Sequence, residues 1–239
     1  MVEEPTGERI PGPQPTGRQP TGRLLPYGER GLLVEVNDLH RALALFELLA
    51  TAREHLAGLE DVVAGARSVL LVAASPGALT AVRAEAQRAL AAVGSGEVPT
   101  AFHSGGPAPE QVVEVPVHYD GDDLADVAEL TGLTVTEVVA AHTGTPWRVG
   151  FAGFAPGFAY LVDGDPRLRV PRRATPRPRV PAGSVGLADE FSGVYPRSSP
   201  GGWQLLGHTD LALWDLHRDP PALLRPGLWV QFTDADGAS

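Results

Sequence analysis

Six arginines fall within thirteen residues, at Arg167, Arg169, Arg172, Arg173, Arg177 and Arg179, with no acid between them. A guanidinium offers parallel N–H groups that match the two oxygens of a carboxylate or phosphate. The run therefore reads as a site for an anionic substrate or an acidic partner surface. A solvated loop balanced by acids elsewhere is the plainer alternative. Pro171, Pro176, Pro178 and Pro181 hold the segment extended and forbid a helix.

Three further segments could do chemistry. Ala182-Gly183-Ser184-Val185-Gly186 has the spacing of a nucleophile elbow, with Ala in the first place. That elbow needs a strand, a sharp turn and then a helix. Here Val180-Pro181 precedes and no helical pattern follows, so a tight turn between strands is expected. From Gly150 to Tyr160 aromatics recur among glycines, which suits a packed strand and turn or the wall of a cleft. In Ser199-Pro200-Gly201-Gly202-Trp203-Gln204 a turn leads into a strand, where Gln204 faces solvent or a cavity. The histidines show no i,i+4 pair on a helix and no H-x-H, so no metal site is supported. His142 ends a predicted helix, either as a dipole partner or as a general acid or base at a cleft edge.

The elements that must position these residues can be read from periodicity. Leu32 to Val36 predicts a strand, and Asp38 can cap a helix over 39–57. Residues 62–64 and 68–73 predict two strands, and 77–92 a second amphipathic helix ended by Gly94. The order β-α-β-β-α predicts a small α+β domain of the split βαβ kind over 23–95. Residues 96–110, rich in Gly, Pro and Ser, are the expected linker. Beyond it come a strand from Val112 to Tyr119 and two short helices, Asp123 to Thr131 and Thr134 to His142. Thr134 and Glu137 have capping-box spacing. Short strands at 147–152, 180–188, 203–207, 211–214 and 228–232 then predict a barrel or sandwich domain over 111–233, with a short tail at 234–239. Residues 1–22 repeat Pro-Thr-Gly without an apolar face and are expected to be a disordered tail.

Composition excludes several classes. The 239 residues carry a net charge of −10, which argues against non-specific nucleic-acid or anionic-membrane binding. There is no cysteine, hence no disulfide framework, thiol nucleophile or Cys-ligated metal. There is no lysine either: all 19 basic residues are arginine. That removes a Schiff-base lysine, a P-loop lysine and a lysine able to carry biotin. The N-terminal stretch has no apolar h-region, and the longest apolar run, Val69 to Ala74, is far short of the ~20 residues a spanning helix needs. A soluble, cytoplasmic protein is expected.

Several long segments together resemble one family. They are YGERGLLVEV at 27–36, VHYDGDDLADVAELTGLTVTEVVAAHTG at 117–144, GFAPGFAYL at 153–161, PRRATPRPRVPAGSVGLA at 171–188, GVYPRSSPGGWQLLGHT at 193–209 and LLRPGLWVQF at 223–232. The chain is similar, from about residue 24 to 233, to the B subunits of bacterial ATP-dependent 5-oxoprolinases, the KipI-like family also called allophanate hydrolase subunit 1.

The resemblance implies a small α+β domain followed by a cyclophilin-like β-barrel. It implies work with two companions, one KipA-like and one LamB/YcsF-like, on a small cyclic amide, with ATP as co-substrate. The reaction would open 5-oxoproline to glutamate. A KipI-type inhibitor of a histidine kinase and a carboxyltransferase component related to urea carboxylase are the alternatives. On this reading Arg177 and Arg179 bind anions, the Gly183-Ser184 backbone supplies donors, Gln204 orients the ring amide and His142 is the acid/base candidate. Two departures from the family pattern bear on the site, the first on substrate choice or activity and the second on anion binding. Asp189-Glu190-Phe191-Ser192-Gly193 stands where relatives carry a Gly-Gln-Thr-Gly-like stretch, and His208 stands where an arginine is usual.

Overall fold

Alternation of apolar residues builds the first sheet of the computed structural model, which describes residues 22–95 and 108–237. The tail expected before Gly22 and most of the expected linker lie outside the described residues. Strand β1 is Gly22–Tyr27, β2 Gly31–Val36, β3 Leu59–Gly65 and β4 Ser68–Ala73. Helix α1 (Leu39–Arg53) joins β2 to β3, and α2 (Leu79–Ser95) follows β4. The strand order is β1-β2-β4-β3, with every neighbouring pair antiparallel. Thus β2 and β3 run parallel with β4 between them, which is the split βαβ arrangement expected. Leu32, Val34 and Val36, and opposite them Val69, Leu71 and Ala73, turn one face inward. Ala42, Leu45 and Leu49 of α1, with Val82, Ala86, Leu90 and Val93 of α2, cover that face.

Local signals set most boundaries. The Asp38 side chain accepts from the Arg41 amide at 2.8 Å and starts α1. Helix α2 runs through Gly94 to Ser95, beyond the stop expected there. Strand β1, which periodicity missed, contains Pro26 and lies at the sheet edge, where a missing N–H costs no ladder bond.

The second half is a barrel. Strand β5 (Val112–Val117) leads to α3 (Leu124–Thr131) and α4 (Val135–Gly144), the latter entered through the Thr134–Glu137 capping box. Then come β6 (Trp147–Ala152), β7 (Ala159–Val162), β8 (Arg177–Val180), β9 (Ser184–Ala188), β10 (Phe191–Val194), β11 (Ser199–Gly201), β12 (Gln204–His208) and β13 (Trp229–Asp234). Seven of these form one sheet in the order β12-β9-β10-β7-β6-β13-β5. An antiparallel bridge between His118 and His208 joins its two edges, so the sheet nearly closes on itself. Closure hides edge N–H and C=O groups that would otherwise seek partners. Strands β8 and β11 pair as a separate two-stranded ribbon.

Two expectations change here. The single strand expected over 180–188 is split, because Pro181 lacks an N–H and Gly183 adopts φ +81. Residues 211–214 make no strand and contribute one bridge, Trp214 to Ala222. A third apolar cluster joins the halves: Leu39 and Leu43 of α1 pack with Phe151, Phe158, Phe191 and Trp203 of the barrel.

Candidate functional site

The arginine-rich segment is held to the barrel by one buried carboxylate. Asp123 is 1% exposed. Arg177 grips it with two parallel bonds, Nη1 to Oδ2 and Nη2 to Oδ1, each 2.8 Å. Arg173 donates to Oδ1, and the Leu205 amide donates to Oδ2 at 2.7 Å. Burial pushes this carboxyl up. The Arg177 and Leu205 hydrogen bonds and the charges of Arg177 and Arg173 outweigh that and hold it below the ordinary carboxylate range.

The rest of the basic run is also largely neutralised. Arg167 pairs with Asp165 at 2.6 Å, Arg169 with Glu190 at 3.5 Å and Arg172 with Asp189 at 3.9 Å. Arg179 instead donates Nε to the Ser198 hydroxyl at 3.1 Å and remains exposed.

Gln204 stands beside this knot on β12. It is 6% exposed, its Nε2 donates to the Pro171 carbonyl at 3.1 Å, and its Oε1 is buried with no partner. Arg173 Nε and Ser199 Oγ are likewise buried and unpartnered. The three residues sit on joined segments, since the Arg173 amide donates to the Gly202 carbonyl at 2.8 Å and Ser199 pairs with Val180. A buried polar atom without a partner costs about 1–3 kcal/mol, so such a set marks a place for water or ligand. The tyrosine ring at position 195 closes on the ribbon: a Cβ at Gly201 would lie 2.3 Å from the Tyr195 hydroxyl.

Gly183 and Ser184 serve the barrel. The Gly183 amide donates to the Tyr195 carbonyl at 2.8 Å, and its carbonyl accepts from Thr209 at 2.9 Å. A Cβ there would meet the Thr209 carbonyl oxygen at 2.3 Å. Ser184 is buried in β9 opposite His208, and no helix follows it.

His142 lies inside the barrel and not at a cleft edge. It is 0% exposed and stacks on Phe232 with centroids 4.2 Å apart. Its Nδ1 is 2.8 Å from the Tyr119 hydroxyl and its Nε2 is 2.9 Å from the Ser192 hydroxyl. Burial pushes its pKa down to about 3, so the ring is neutral, one nitrogen donating and the other accepting. Sequence reading missed Tyr119 and Ser192 as partners, because no local pattern links positions 23 and 50 residues from His142.

The 189–193 turn reaches two places. Asp189 holds φ +54. Glu190 lines a cavity of about 290 Å³ between α1 and the barrel, with Leu39, Trp147 and Asp163. Phe191 packs edge-on against Phe151 and Tyr160, with centroids 5.8 and 5.5 Å apart.

Residues 22–224 match the family model described as carboxyltransferase domain, subdomain C and D. The chain belongs to that family. This carboxyltransferase-family chain is 52% identical over 123 residues to the 5-oxoprolinase B subunit of Escherichia coli O157:H7, covering 50% of this chain and 56% of that protein. It is 48% identical over 125 residues to the 5-oxoprolinase B subunit of Bacillus subtilis (strain 168), covering 51% and 52%. The match thus spans about half the length of these curated relatives. Among solved structures, TTHA0988 superposes with a TM-score of 0.67 at 39% identity, over 87% of this chain and 40% of that one. The conserved uncharacterized protein PH0987 from Pyrococcus horikoshii gives a TM-score of 0.51 at 33% identity, covering 89% and 97%. Kluyveromyces lactis urea carboxylase gives 0.63 at 21% identity, over 93% of this chain and 22% of that one, a likeness of fold alone. The carboxyltransferase-family chain is therefore a mixed α+β protein with a nearly closed barrel of the cyclophilin-like kind. No helix among the described residues is long and apolar enough to cross a membrane.

Proposed function

We propose that this chain is the B subunit of an ATP-dependent 5-oxoprolinase, working in the cytoplasm with a KipA-like companion and a LamB/YcsF-like companion. The observation that carries this reading is the 46–52% identity to three proteins named as 5-oxoprolinase B subunits. The assembly would convert 5-oxoproline, ATP and water to glutamate, ADP and phosphate. Phosphorylation of the lactam oxygen makes the ring carbon an electrophile for water, and a donor set must hold the charge that develops.

The side chains on the page divide the work. Gln204 Oε1, buried and unpartnered, accepts from the lactam N–H. Arg179, outside the ion-pair network of its neighbours, faces the substrate carboxylate. Arg177 acts as a positioning residue, because its fork is closed on Asp123. The Gly183 turn and Ser184 hold the barrel in register. His142, sealed and neutral, supports the wall through Tyr119 and Ser192.

The test is glutamate and ADP release from 5-oxoproline and ATP, with and without this chain added to the KipA-like and LamB/YcsF-like companions. Turnover only in its presence is expected; equal turnover without it overturns the reading. The family description favours a second reading, carboxyl transfer from biotin. With no lysine in this chain, a partner would carry that biotin.

A further inference from the structure

The four-stranded sheet of the first half has two faces, and helices cover one of them. Leu32, Val34, Val69 and Leu71 face α1 and α2. The register puts the alternate residues on the other face. There Leu25 pairs with Leu33, Leu33 with Leu70, and Leu70 with Val63, so four apolar side chains form one row across all four strands. Leu25, Leu33 and Leu70 are half-buried, and none of them packs into the apolar clusters of the described residues. Val63 is 43% exposed, and Tyr27, on the same face of β1, is 59% exposed. The barrel leaves this face open, because it meets the domain through Leu39 and Leu43 of α1 and the inward-facing Ala64. Single exposed apolar residues are ordinary on a folded protein, whereas a continuous row marks an interaction surface.

The occupant follows from charge and symmetry. Arg23 and Glu35 pair on this face at 2.5 Å, and Asp61 is held by Arg53 at 3.6 Å, so the charges cancel locally. A two-fold axis lying along the apolar row sets that row of one copy on the same row of the other. Arg23 and Tyr27 flank the row on opposite sides of Leu25, so each copy's Arg23 meets the other's Tyr27 ring, a cation–π contact made twice. Glu35 then faces Gly31, and Asp61 faces Gly65, so no like charges are opposed. Residues 1–21, which precede β1, offer only Met1, Val2 and Ile10 as large apolar side chains, too few to cover the row.

The size of the face sets the strength. Four strands ~4.8 Å apart and three rows of residues ~7 Å apart give roughly 400 Å² on each copy. Two copies together bury less than the ~1,200 Å² at which stable interfaces begin, which fits a reversible association.

We infer that the outer face of the β1-β2-β4-β3 sheet packs on the same face of a second copy, sheet on sheet, in a reversible two-fold dimer. Such a dimer is independent of the reaction the chain serves.

Sedimentation of the full chain from about 1 to about 500 μM, for wild type, Leu33→Glu, Val63→Glu and Leu216→Glu, tests this. Wild type is expected to pass from monomer to dimer as concentration rises. Leu33→Glu and Val63→Glu each place a carboxylate in the apolar seam and are expected to raise the dissociation constant about tenfold or more. The melting temperature reports whether each variant folds, and Val63 is exposed on an edge strand, so Val63→Glu serves even where Leu33→Glu unfolds. Leu216, 79% exposed on a barrel loop, is the control, and Leu216→Glu is expected to dimerise as wild type does. A wild-type chain monomeric throughout overturns the dimer. A dimer that Leu216→Glu breaks, or that folded Leu33→Glu and Val63→Glu leave equally tight, overturns the assignment of the face. A chain that pairs only once residues 1–21 are removed overturns the second copy as occupant in the full chain.

Discussion

His118 and His208 face each other across the bridge that joins the two edges of the barrel sheet, their rings stacked with centroids 5.0 Å apart. The backbone bonds are reciprocal, at 2.8 and 2.9 Å. Each ring keeps its own carboxylate: His118 Nδ1 lies 2.9 Å from Asp236, and His208 Nδ1 lies 2.9 Å from Asp120.

The Asp236 hydrogen bond, with the Coulombic pull of Asp236, Asp210 and Asp120, outweighs desolvation and raises the His118 pKa. A histidine whose folded pKa exceeds its unfolded value of about 6.5 adds stability that is fully present below 6.5. That stability is lost as pH rises through the folded pKa. Asp236→Asn is expected to lower the His118 titration midpoint, read by NMR. The gap in melting temperature between wild type and Asp236→Asn then closes with rising pH. A constant gap would show that the pair does not titrate with folding.

His142 has the opposite sign. Its folded pKa is pushed down to about 3 by burial, so between pH 6.5 and 3 the unfolded chain takes up a proton that the folded chain refuses. Stability present above pH 6.5 falls by up to about 1.4 kcal/mol for each pH unit below it. His142→Gln is expected to be less stable at neutral pH and to lose part of this acid slope, measured by urea unfolding at several pH values.

Asp123 and Arg177 are expected to behave as one structural unit. Asp123→Asn leaves two guanidinium groups without their carboxylate, and Arg177→Ala leaves the carboxylate short of its bidentate partner. Each is expected to cost about 3 kcal/mol. Arg179→Ala is expected to leave the urea midpoint unchanged and to lower turnover of the assembled enzyme about tenfold, by loss of an anion contact. Equal stability losses at 177 and 179 would contradict this division.

Gly183 is a position where only glycine fits. Gly183→Ala must hold a side chain at φ +81 with its Cβ against the Thr209 carbonyl. A loss of about 2 kcal/mol or more is expected by denaturant melting.

Gln204→Leu removes an amide whose oxygen has no partner in the fold. Only the bond to the Pro171 carbonyl is lost, a cost of about 1 kcal/mol. The KM for 5-oxoproline is expected to rise about tenfold with little change in melting temperature, because a ligand contact is removed.

The helices were legible in the sequence because their causes are local. Asp38 caps α1 through a residue three positions away, and Thr134 and Glu137 cap α4 across the same spacing. The buried faces of β2 and β4 follow a period of two, which the residues themselves display. The short strands β7 and β10, each of four residues, carry too few alternations to stand out from turns.

By itself, then, the sequence determined the secondary elements of longer period and the family. Tertiary structure decided what the polar groups do. Arg177 looked like a free anion site until Asp123, 54 positions away, was brought to 2.8 Å. His142 read as a helix-end residue or a cleft-edge acid or base until Phe232 and Trp147 closed over it. The physical reason is range. Capping and periodic burial depend on neighbours within a turn or two, whereas the charge and accessibility of a side chain depend on groups that only the closed barrel places beside it.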